Sequence, residues 1–267
     1  DLIAGQKEPV IDMPTRFVDF MRVLVPMAGD DTTPEGEQVN IYGNHVGSWN
    51  FAATAYLNQW KVKIYYEHYF DDHSQMFFQY GRWKDGHIGL EITFPKNRFI
   101  DTFVYEGLGT KDQTGPMLYD SFWGEFEEQI SAKDNYYNHY LYQGWQHWGM
   151  GIGNPLLPGP IYNKNGQITF ISNRVLAHHI GFCGSPCQSL SYRMLLSYSR
   201  HWGTYDNPLN EIKKQFNSLF EVTYAPQQLK GWSFTVSGAM DRGSMLGNNY
   251  GGMLVIRKQG IIKSGNK

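Results

Sequence analysis

The stretch Trp232-Ser-Phe-Thr-Val-Ser-Gly-Ala-Met240 alternates large apolar residues with small or polar ones, and the alternation stops at Asp241-Arg-Gly243. A period of two predicts a β-strand with two unlike faces. In a soluble sandwich the apolar face would be buried and the polar face would meet water. In an outer-membrane barrel the apolar face meets lipid and the small polar face lines the lumen. The rest of the sequence helps to distinguish these two orientations.

The composition excludes several classes of protein. The chain has 267 residues with 23 basic and 25 acidic ones, so no charge excess points to a nucleic-acid partner. No apolar stretch reaches about 18 residues, which excludes a membrane-spanning helix but not a barrel. Aromatic residues make up 16% of the chain beside 29 glycines, as expected for aromatic belts with many turns or for a carbohydrate-binding β-domain. No signal-like stretch follows Asp1, so we interpret the start as that of a processed or truncated chain.

Alternation recurs along the chain and predicts about ten strands in a single domain over 1–267. The predicted strands are 15–25, 49–57, 62–70, 88–94, 98–108, 167–182, 191–199, 216–224, 232–240 and 250–258. Long connections follow the odd-numbered strands and short ones follow the even-numbered strands. This pattern is typical of outer-membrane barrels, and a Greek-key sandwich does not require it. We therefore predict an all-β fold, an up-and-down antiparallel transmembrane β-barrel with long extracellular loops that contain short helices.

Polar residues lie within these strands, opposite the apolar faces. In a barrel they would line the lumen, whereas on a sandwich they would form an ordinary solvated face, so they discriminate poorly between the two folds. The lumen-lining candidates are Lys63, Glu67, Glu91, Arg193, Glu221, Ser233 and Thr235.

The connection 109–166 is too long for a passive link, because loops beyond about 15 residues usually carry function or are disordered. Apolar residues at helical spacing predict an amphipathic helix near 118–131, and the connection 71–86 is predicted to hold a turn or two of helix. The aromatic rings of 136–148 suit stacking on sugar rings, and the neighbouring amides and imidazoles suit binding of hydroxyls. Packing of the loop is the better explanation for any single one of these residues. The glycan-binding candidates are Tyr136, Tyr137, Asn138, Tyr140, Trp145, His147 and Trp148.

The two cysteines are Cys183 and Cys187. A tight turn around Gly184-Ser-Pro186 would bring their sulfur atoms together, so the spacing permits a disulfide in an oxidising compartment. A zinc site would need two further ligands, and adjacent His178 and His179 point to opposite faces of a strand. No metal and no cofactor are predicted.

Catalytic motifs are poorly represented. Carboxylate pairs such as Glu91 with Glu106 or Asp120 with Glu125 are unsurprising in a chain with 25 acidic residues. The sequence lacks a nucleophile elbow, a phosphate-binding loop and a His-Glu-x-x-His motif. We therefore do not predict an enzyme.

Several short blocks occur in one order between about residue 85 and residue 258. They are Asp85-Gly-His-Ile-Gly-Leu-Glu91, Val104-Tyr-Glu106, Gly109-Thr-Lys-Asp-Gln-Thr-Gly-Pro116, Tyr136-Tyr-Asn138, Gly144-Trp145, Gly151-Ile-Gly-Asn-Pro155, Asn173-Arg-Val175, Ala177-His-His179, Gly203-Thr-Tyr205, Asp241-Arg-Gly243 and Gly247-Asn-Asn-Tyr-Gly251. As an ordered set they resemble the Wzi family of capsule-assembly outer-membrane proteins. The resemblance implies a barrel of about eighteen strands in the outer membrane of a Gram-negative bacterium. It also implies a lectin-like, non-catalytic role in holding capsular polysaccharide or exopolysaccharide.

The chain departs from the family in its strand count, which suggests the C-terminal part of a longer barrel or missing internal segments. It also ends in Gly260-Ile-Ile-Lys-Ser-Gly-Asn-Lys267 rather than in a terminal aromatic. The expected partners are outer-membrane lipid, surface polysaccharide and other outer-membrane proteins, with no nucleic acid. Two alternatives stay open, namely a porin-like transport barrel or subunit of a larger outer-membrane complex, and a soluble aromatic-rich domain that binds or cleaves glycans.

Overall fold

The structure is a computed structural model. It describes residues 14–25, 27–33, 38, 42–71, 75–78, 85–97, 99–118, 130, 132–139 and 143–260. Its elements are helix α1 (Phe17–Leu24), strands β1 (Val46–Leu57), β2 (Trp60–Asp71), β3 (Gly86–Thr93), β4 (Thr102–Gly109), β5 (Gln146–His147), β6 (Met150–Gly151), a 3-10 helix (Pro160–Tyr162), and strands β7 (Val175–Cys187), β8 (Leu190–Gly203), β9 (Pro208–Tyr224), β10 (Trp232–Gly243) and β11 (Asn249–Lys258). No helix among these residues is both long enough and apolar enough to span a membrane.

Nine of the strands form one antiparallel sheet with the order β1-β2-β3-β4-β7-β8-β9-β10-β11. Each strand pairs with the next long strand along the chain, so the sheet is an up-and-down meander, and β5 and β6 form a separate small hairpin. The prediction of a mainly β fold is thus confirmed. Within the described residues β1 and β11 are the two edges of the sheet, and no pairing joins them.

The predicted strand over 15–25 is wrong, because this segment contains helix α1. Phe17, Phe20 and Leu24 recur at helical spacing, which favours a helix over the predicted strand. Asp19, at the third helical position, accepts a hydrogen bond from the Arg16 backbone N–H at 3.0 Å, and the Asp19 N–H donates to the Arg16 carbonyl at 3.0 Å, so these two bonds close the first turn. The same carboxylate lies 2.9 Å from Arg16 and 3.2 Å from Arg22.

The predicted alternation of long and short connections holds in one half of the sheet only. Long connections, 72–85 and 110–174, follow β2 and β4 as predicted. The predicted connection 202–214 is wrong, because β8 and β9 continue until only the turn 204–207 separates them. This turn is closed by the Thr204 hydroxyl, which accepts from the Asn207 N–H at 2.9 Å. The helix predicted near 118–131 lies almost entirely outside the described residues.

The permitted disulfide between Cys183 and Cys187 is not formed, and both cysteines are free. The predicted reversal at 184–186 is wrong, because both cysteines belong to β7 and the chain reverses at 188–189, beyond a bulge in the β7–β8 pairing. Four residues of extended chain span about 13 Å, whereas bridged cysteines have their Cα atoms within about 7 Å. The separation along one strand therefore prevents the bond.

Exposure across the sheet is the opposite of that in a sheet packed on an apolar core. In β10, Val236 is 61% exposed, whereas the next residue, Ser237, is 6% exposed. Large apolar side chains that share the Val236 face are likewise exposed, and they include Ile64, Ile88, Phe220, Leu254 and Ile256. We call this the apolar face, and the face that carries Ser237 the polar face. The polar face also carries some apolar residues toward the β11 edge, among them Leu219, Met253 and Val255.

The hydrophobic core of the described residues lies at one end of the polar face, where the segment 110–174 packs on the sheet. Tyr137, Leu157 and Phe170 of that segment cluster with Val175 and Ala177 of β7. Val46 of β1 and Leu108 of β4 pack against the same cluster. The described part of this segment therefore folds back over the polar face instead of extending away from the sheet.

Candidate functional site

All seven predicted lumen-lining residues lie on the polar face. Residues directly opposite each other in an antiparallel pair project on the same side. Lys63 pairs with Glu91 and Arg193 pairs with Glu221, which in turn pairs with Ser237. The period of two along β2 puts Glu67 on the same face, and the same period along β10 puts Ser233 and Thr235 there. The alternation read from sequence therefore groups these residues correctly, and their role as lumen lining belongs to the proposal below.

Ionisable residues of the polar face are paired with one another near β2, β3 and β4. His87 lies 3.9 Å from Glu67 and 3.5 Å from Glu106. The Ser48 hydroxyl donates to Glu67 at 2.7 Å, and the Tyr65 hydroxyl donates to Glu106. Glu91, the other carboxylate considered for catalysis, lies 3.4 Å from Lys61. Each of these carboxylates thus has a donor partner on the same face.

A second set of polar contacts continues across β7 to β10. Arg193 lies 3.4 Å from Glu221, and the Ser237 hydroxyl donates to the other oxygen of Glu221 at 3.1 Å. Three further contacts are His179 to Ser197 at 2.6 Å, Thr223 to Thr235 at 2.8 Å and Asn217 to Asp241 at 2.7 Å. The polar face is therefore covered by a network of cross-strand contacts.

Asp85 ties the segment 110–174 to the start of β3. Its carboxylate accepts hydrogen bonds from the backbone N–H groups of Asp112, at 2.9 Å, and Gln113, and from the Tyr136 hydroxyl at 3.2 Å. Burial raises the pKa of Asp85 to about 6, and the three donors oppose that rise only in part. These residues lie in three separate blocks of the sequence, 85–91, 109–116 and 136–138, and the spacing of the blocks along the chain does not indicate that they meet.

Four of the predicted glycan-binding residues have packing roles. Tyr137 stacks on Trp145 with the ring centroids 5.2 Å apart, and the Trp145 indole N–H donates to the Asn44 carbonyl at 3.2 Å. The Asn138 side chain donates to the Phe170 carbonyl at 2.9 Å and accepts from its N–H at 2.8 Å. Tyr136 is buried beside Asp85. These contacts agree with the packing alternative for each of the four residues.

The remaining candidates differ from these four. Trp148 is 86% exposed at the tip of the β5–β6 hairpin, next to exposed His147. Its backbone has φ 53°, a left-handed conformation that is uncommon for a non-glycine residue. Tyr140 lies outside the described residues. Trp148 is thus the aromatic ring of this set that a ligand can reach from solvent.

Two cavities lie between the described part of the segment 110–174 and the polar face. One, of about 410 Å³, is bordered by Glu67 and His87 of the sheet and by Tyr136, Tyr137 and Trp145 above them. The other, of about 470 Å³, reaches Glu106, His179 and Arg193. Both are bordered by Asn154 and Pro155, so this short stretch of the segment lies between them.

A larger cleft, of about 780 Å³, lies between the segment 110–174 and the turn that joins β8 to β9. We call it the amide cleft, because its polar lining consists mainly of amide and hydroxyl side chains. The polar residues that line it are Asn135, Asn138, His139, Gln143, Gln167, Thr169, Thr204, Asn207 and Asn210. Of these residues, only Asn138 was among the predicted glycan-binding candidates, because the others lie in predicted connections and strands.

The described residues contain no cluster of three or more His, Cys, Asp or Glu side chains able to hold a metal ion. The chemistry that the cavities and the cleft offer is hydrogen bonding, through hydroxyl, amide and imidazole groups. Comparison with models of known protein families and with curated proteins found no match.

Proposed function

We propose that this chain forms part of an outer-membrane β-barrel that holds capsular polysaccharide or exopolysaccharide at the surface of a Gram-negative bacterium, as the resemblance to the Wzi family implies. The observation that carries the proposal is the sidedness of the sheet. Val236 and its apolar neighbours are exposed, whereas adjacent Ser237 is buried against Glu221. A soluble protein rarely exposes so large an apolar surface, and lipid is the medium that accepts it.

Aromatic residues near the strand ends support the same orientation. At the end of the sheet with the turn 58–59, Trp60 packs on Phe94 at 5.1 Å and Trp232 stacks on Phe234 at 6.3 Å. Toward the other end, Trp49 lies 6.3 Å from Phe77 and Tyr250 is exposed at the start of β11. Aliphatic residues such as Ile64 and Leu254 occupy the band between these ends. Membrane barrels carry aromatic girdles at both interfaces around such a band.

The inward-folded segment supports binding rather than free passage. Its core, around Phe170, packs on Val175 and Ala177 at one end of the polar face, and two cavities remain beneath it. The amide cleft and the exposed Trp148 ring provide hydrogen-bonding groups and a stacking surface for sugars. We propose lipid and surface polysaccharide as partners, with further outer-membrane proteins at the sheet edges.

A transport barrel is the second candidate, because charged residues such as Lys63, Arg193 and Glu221 share the polar face. Conductance in planar bilayers separates the two candidates. We expect low, non-ohmic conductance if the segment closes the lumen. A large, steady conductance would favour the transport barrel.

The proposed function predicts that the purified chain needs detergent and that its electrophoretic mobility changes on boiling, as folded membrane barrels behave. A chain that is soluble without detergent and migrates identically before and after heating would overturn the membrane assignment and favour a soluble glycan-binding domain.

Polysaccharide binding is tested with Trp148→Ala, which removes an exposed ring without opening the core. We expect retention on immobilised surface polysaccharide to fall about tenfold, as loss of one stacking contact of about 1.4 kcal/mol implies. Tyr162→Ala is the matched control, because Tyr162 is an exposed aromatic of the same segment. Equal retention of both variants and the original chain would contradict a role for Trp148.

A further inference from the structure

The amide cleft is bounded by side chains whose positions are fixed by other protein groups. The Asn138 side chain makes two hydrogen bonds with the Phe170 backbone. Its oxygen accepts from the N–H at 2.8 Å and its nitrogen donates to the carbonyl at 2.9 Å. Asn135 accepts from Asn138 at 2.9 Å and from Asn173 at 2.6 Å. The wall therefore keeps its shape without a ligand, which lowers the ordering cost of binding.

The mouth of the cleft offers hydrogen-bonding capacity. Gln167, Asn207 and Asn210 are exposed there. Farther in, the Gln143 amide nitrogen donates to the His139 carbonyl at 2.6 Å, while its oxygen is buried and accepts no hydrogen bond within the described part of the protein. A ligand that enters between these residues meets both amide donors and amide acceptors.

The charge of the cleft is distinctive. None of the described residues that line it is a lysine or an arginine. A charged group that contacts the wall is Asp206, whose carboxylate accepts from the Asn135 amide at 3.1 Å. Sites that recognise carboxylates or phosphates use arginine or lysine, often in bidentate geometry. The carboxylate of a uronic or sialic acid would lose its hydration in this cleft. It would find no lysine or arginine to pair with, and it would be repelled by the carboxylate of Asp206.

We propose that the amide cleft receives an uncharged segment of polysaccharide, recognised through its hydroxyl and acetamido groups. This inference rests on the proposed function and narrows it to a substrate class. Amide side chains match sugar hydroxyls, which both donate and accept hydrogen bonds. The volume of about 780 Å³ lies in the range of cavities that hold small ligands, so the cleft has room for a short oligosaccharide stretch. The lack of lysine and arginine in the described lining, together with Asp206, selects against acidic chains.

The test uses the full chain in detergent micelles and two immobilised panels. The uncharged panel is dextran, galactomannan and N-acetylated chitooligosaccharides, and the acidic panel is alginate, polygalacturonate and hyaluronate. We expect binding to at least one uncharged polysaccharide at least tenfold tighter than to any acidic one. Gln167→Ala combined with Asn210→Ala is expected to weaken that binding about tenfold. Gln227→Ala is the matched control, because Gln227 is an exposed amide outside the cleft. This substitution should leave binding to the uncharged polysaccharide unchanged.

A charge reversal gives a second readout. Asp206→Lys places a cation at the cleft wall and is expected to raise binding to the acidic panel at least fivefold. Tighter binding to acidic polysaccharide by the original chain would overturn the inference and leave the proposed function standing. Uncharged binding that the cleft variants do not alter would overturn the assignment to this cleft. Absence of binding to both panels would count against the proposed function itself.

Discussion

Phe170 shows at the scale of one residue how the inward-folded segment is held. Its side chain is 0% exposed, and its ring meets Tyr137 edge-on at a centroid distance of 5.1 Å. Phe170→Ala is expected to destabilise the segment by about 3–5 kcal/mol, through lost apolar burial and the cavity left behind. Limited proteolysis within 110–174 measures the effect. The exposed-ring variant Tyr162→Ala should be cleaved as slowly as the original chain, and equal cleavage of both variants would contradict the packing role.

Asp85 makes the same region sensitive to pH. Its pKa rises from an ordinary value of 3.8 to about 6 in the folded protein because of burial. Between these values the unfolded carboxyl is ionised while the folded one keeps its proton, so stability falls as pH rises from about 4 to about 6. A pKa difference of about 2 corresponds to roughly 3 kcal/mol.

Asp85→Asn removes this titration. We expect its thermal midpoint to vary less than that of the original chain between pH 4 and pH 7, so that the original chain loses stability relative to the variant as pH rises. Asp206→Asn, which removes an exposed carboxylate, is the control. Parallel pH profiles for Asp85→Asn and the original chain would refute the assignment.

Residue-level prediction from sequence succeeded where side chains follow a strict period. Alternation in β2 and β10 places Lys63 and Thr235 on one face without any tertiary information. It could not separate packing from sugar binding for Tyr137 and Trp145, because aromatic residues near amides look the same in sequence whether they bind a sugar or each other. The stacked pair at 5.2 Å agrees with the packing role.

The element scale gives the most direct test of which medium each face of β10 meets. Val236→Lys places a charge on the apolar face and is expected to cost about 2–4 kcal/mol in a lipid bilayer. Thr235→Lys, one residue away on the polar face, should cost only about 1 kcal/mol through loss of the contact with Thr223 at 2.8 Å. Urea unfolding of protein reconstituted in lipid vesicles measures both. Equal cost for the two variants would contradict lipid contact at Val236.

Elements were predictable where pattern and length agreed. Strands β1, β2, β3, β10 and β11 lie close to their predicted positions, the first four because apolar and polar residues alternate along them and β11 because of its apolar run at 253–256. Helix α1 was missed because an eight-residue amphipathic helix carries few turns from which to read its period. A strand was predicted over 167–174, but these residues belong to the loop before β7. The Asn163 side-chain nitrogen donates to the Gln167 and Thr169 carbonyls, each at 2.7 Å, and so stabilises the loop. Such side-chain contacts depend on tertiary structure and leave no periodic signal.

At the scale of the whole molecule, the meander order fixes the direction of every strand. Neighbours run antiparallel from β1 to β11, and the sheet holds nine strands. The first and ninth strands of such a series point the same way. A ring closed by joining these two edges directly would therefore contain one parallel pair. If every neighbour in the ring is antiparallel, as in bacterial outer-membrane barrels, an odd number of further strands has to stand between β11 and β1.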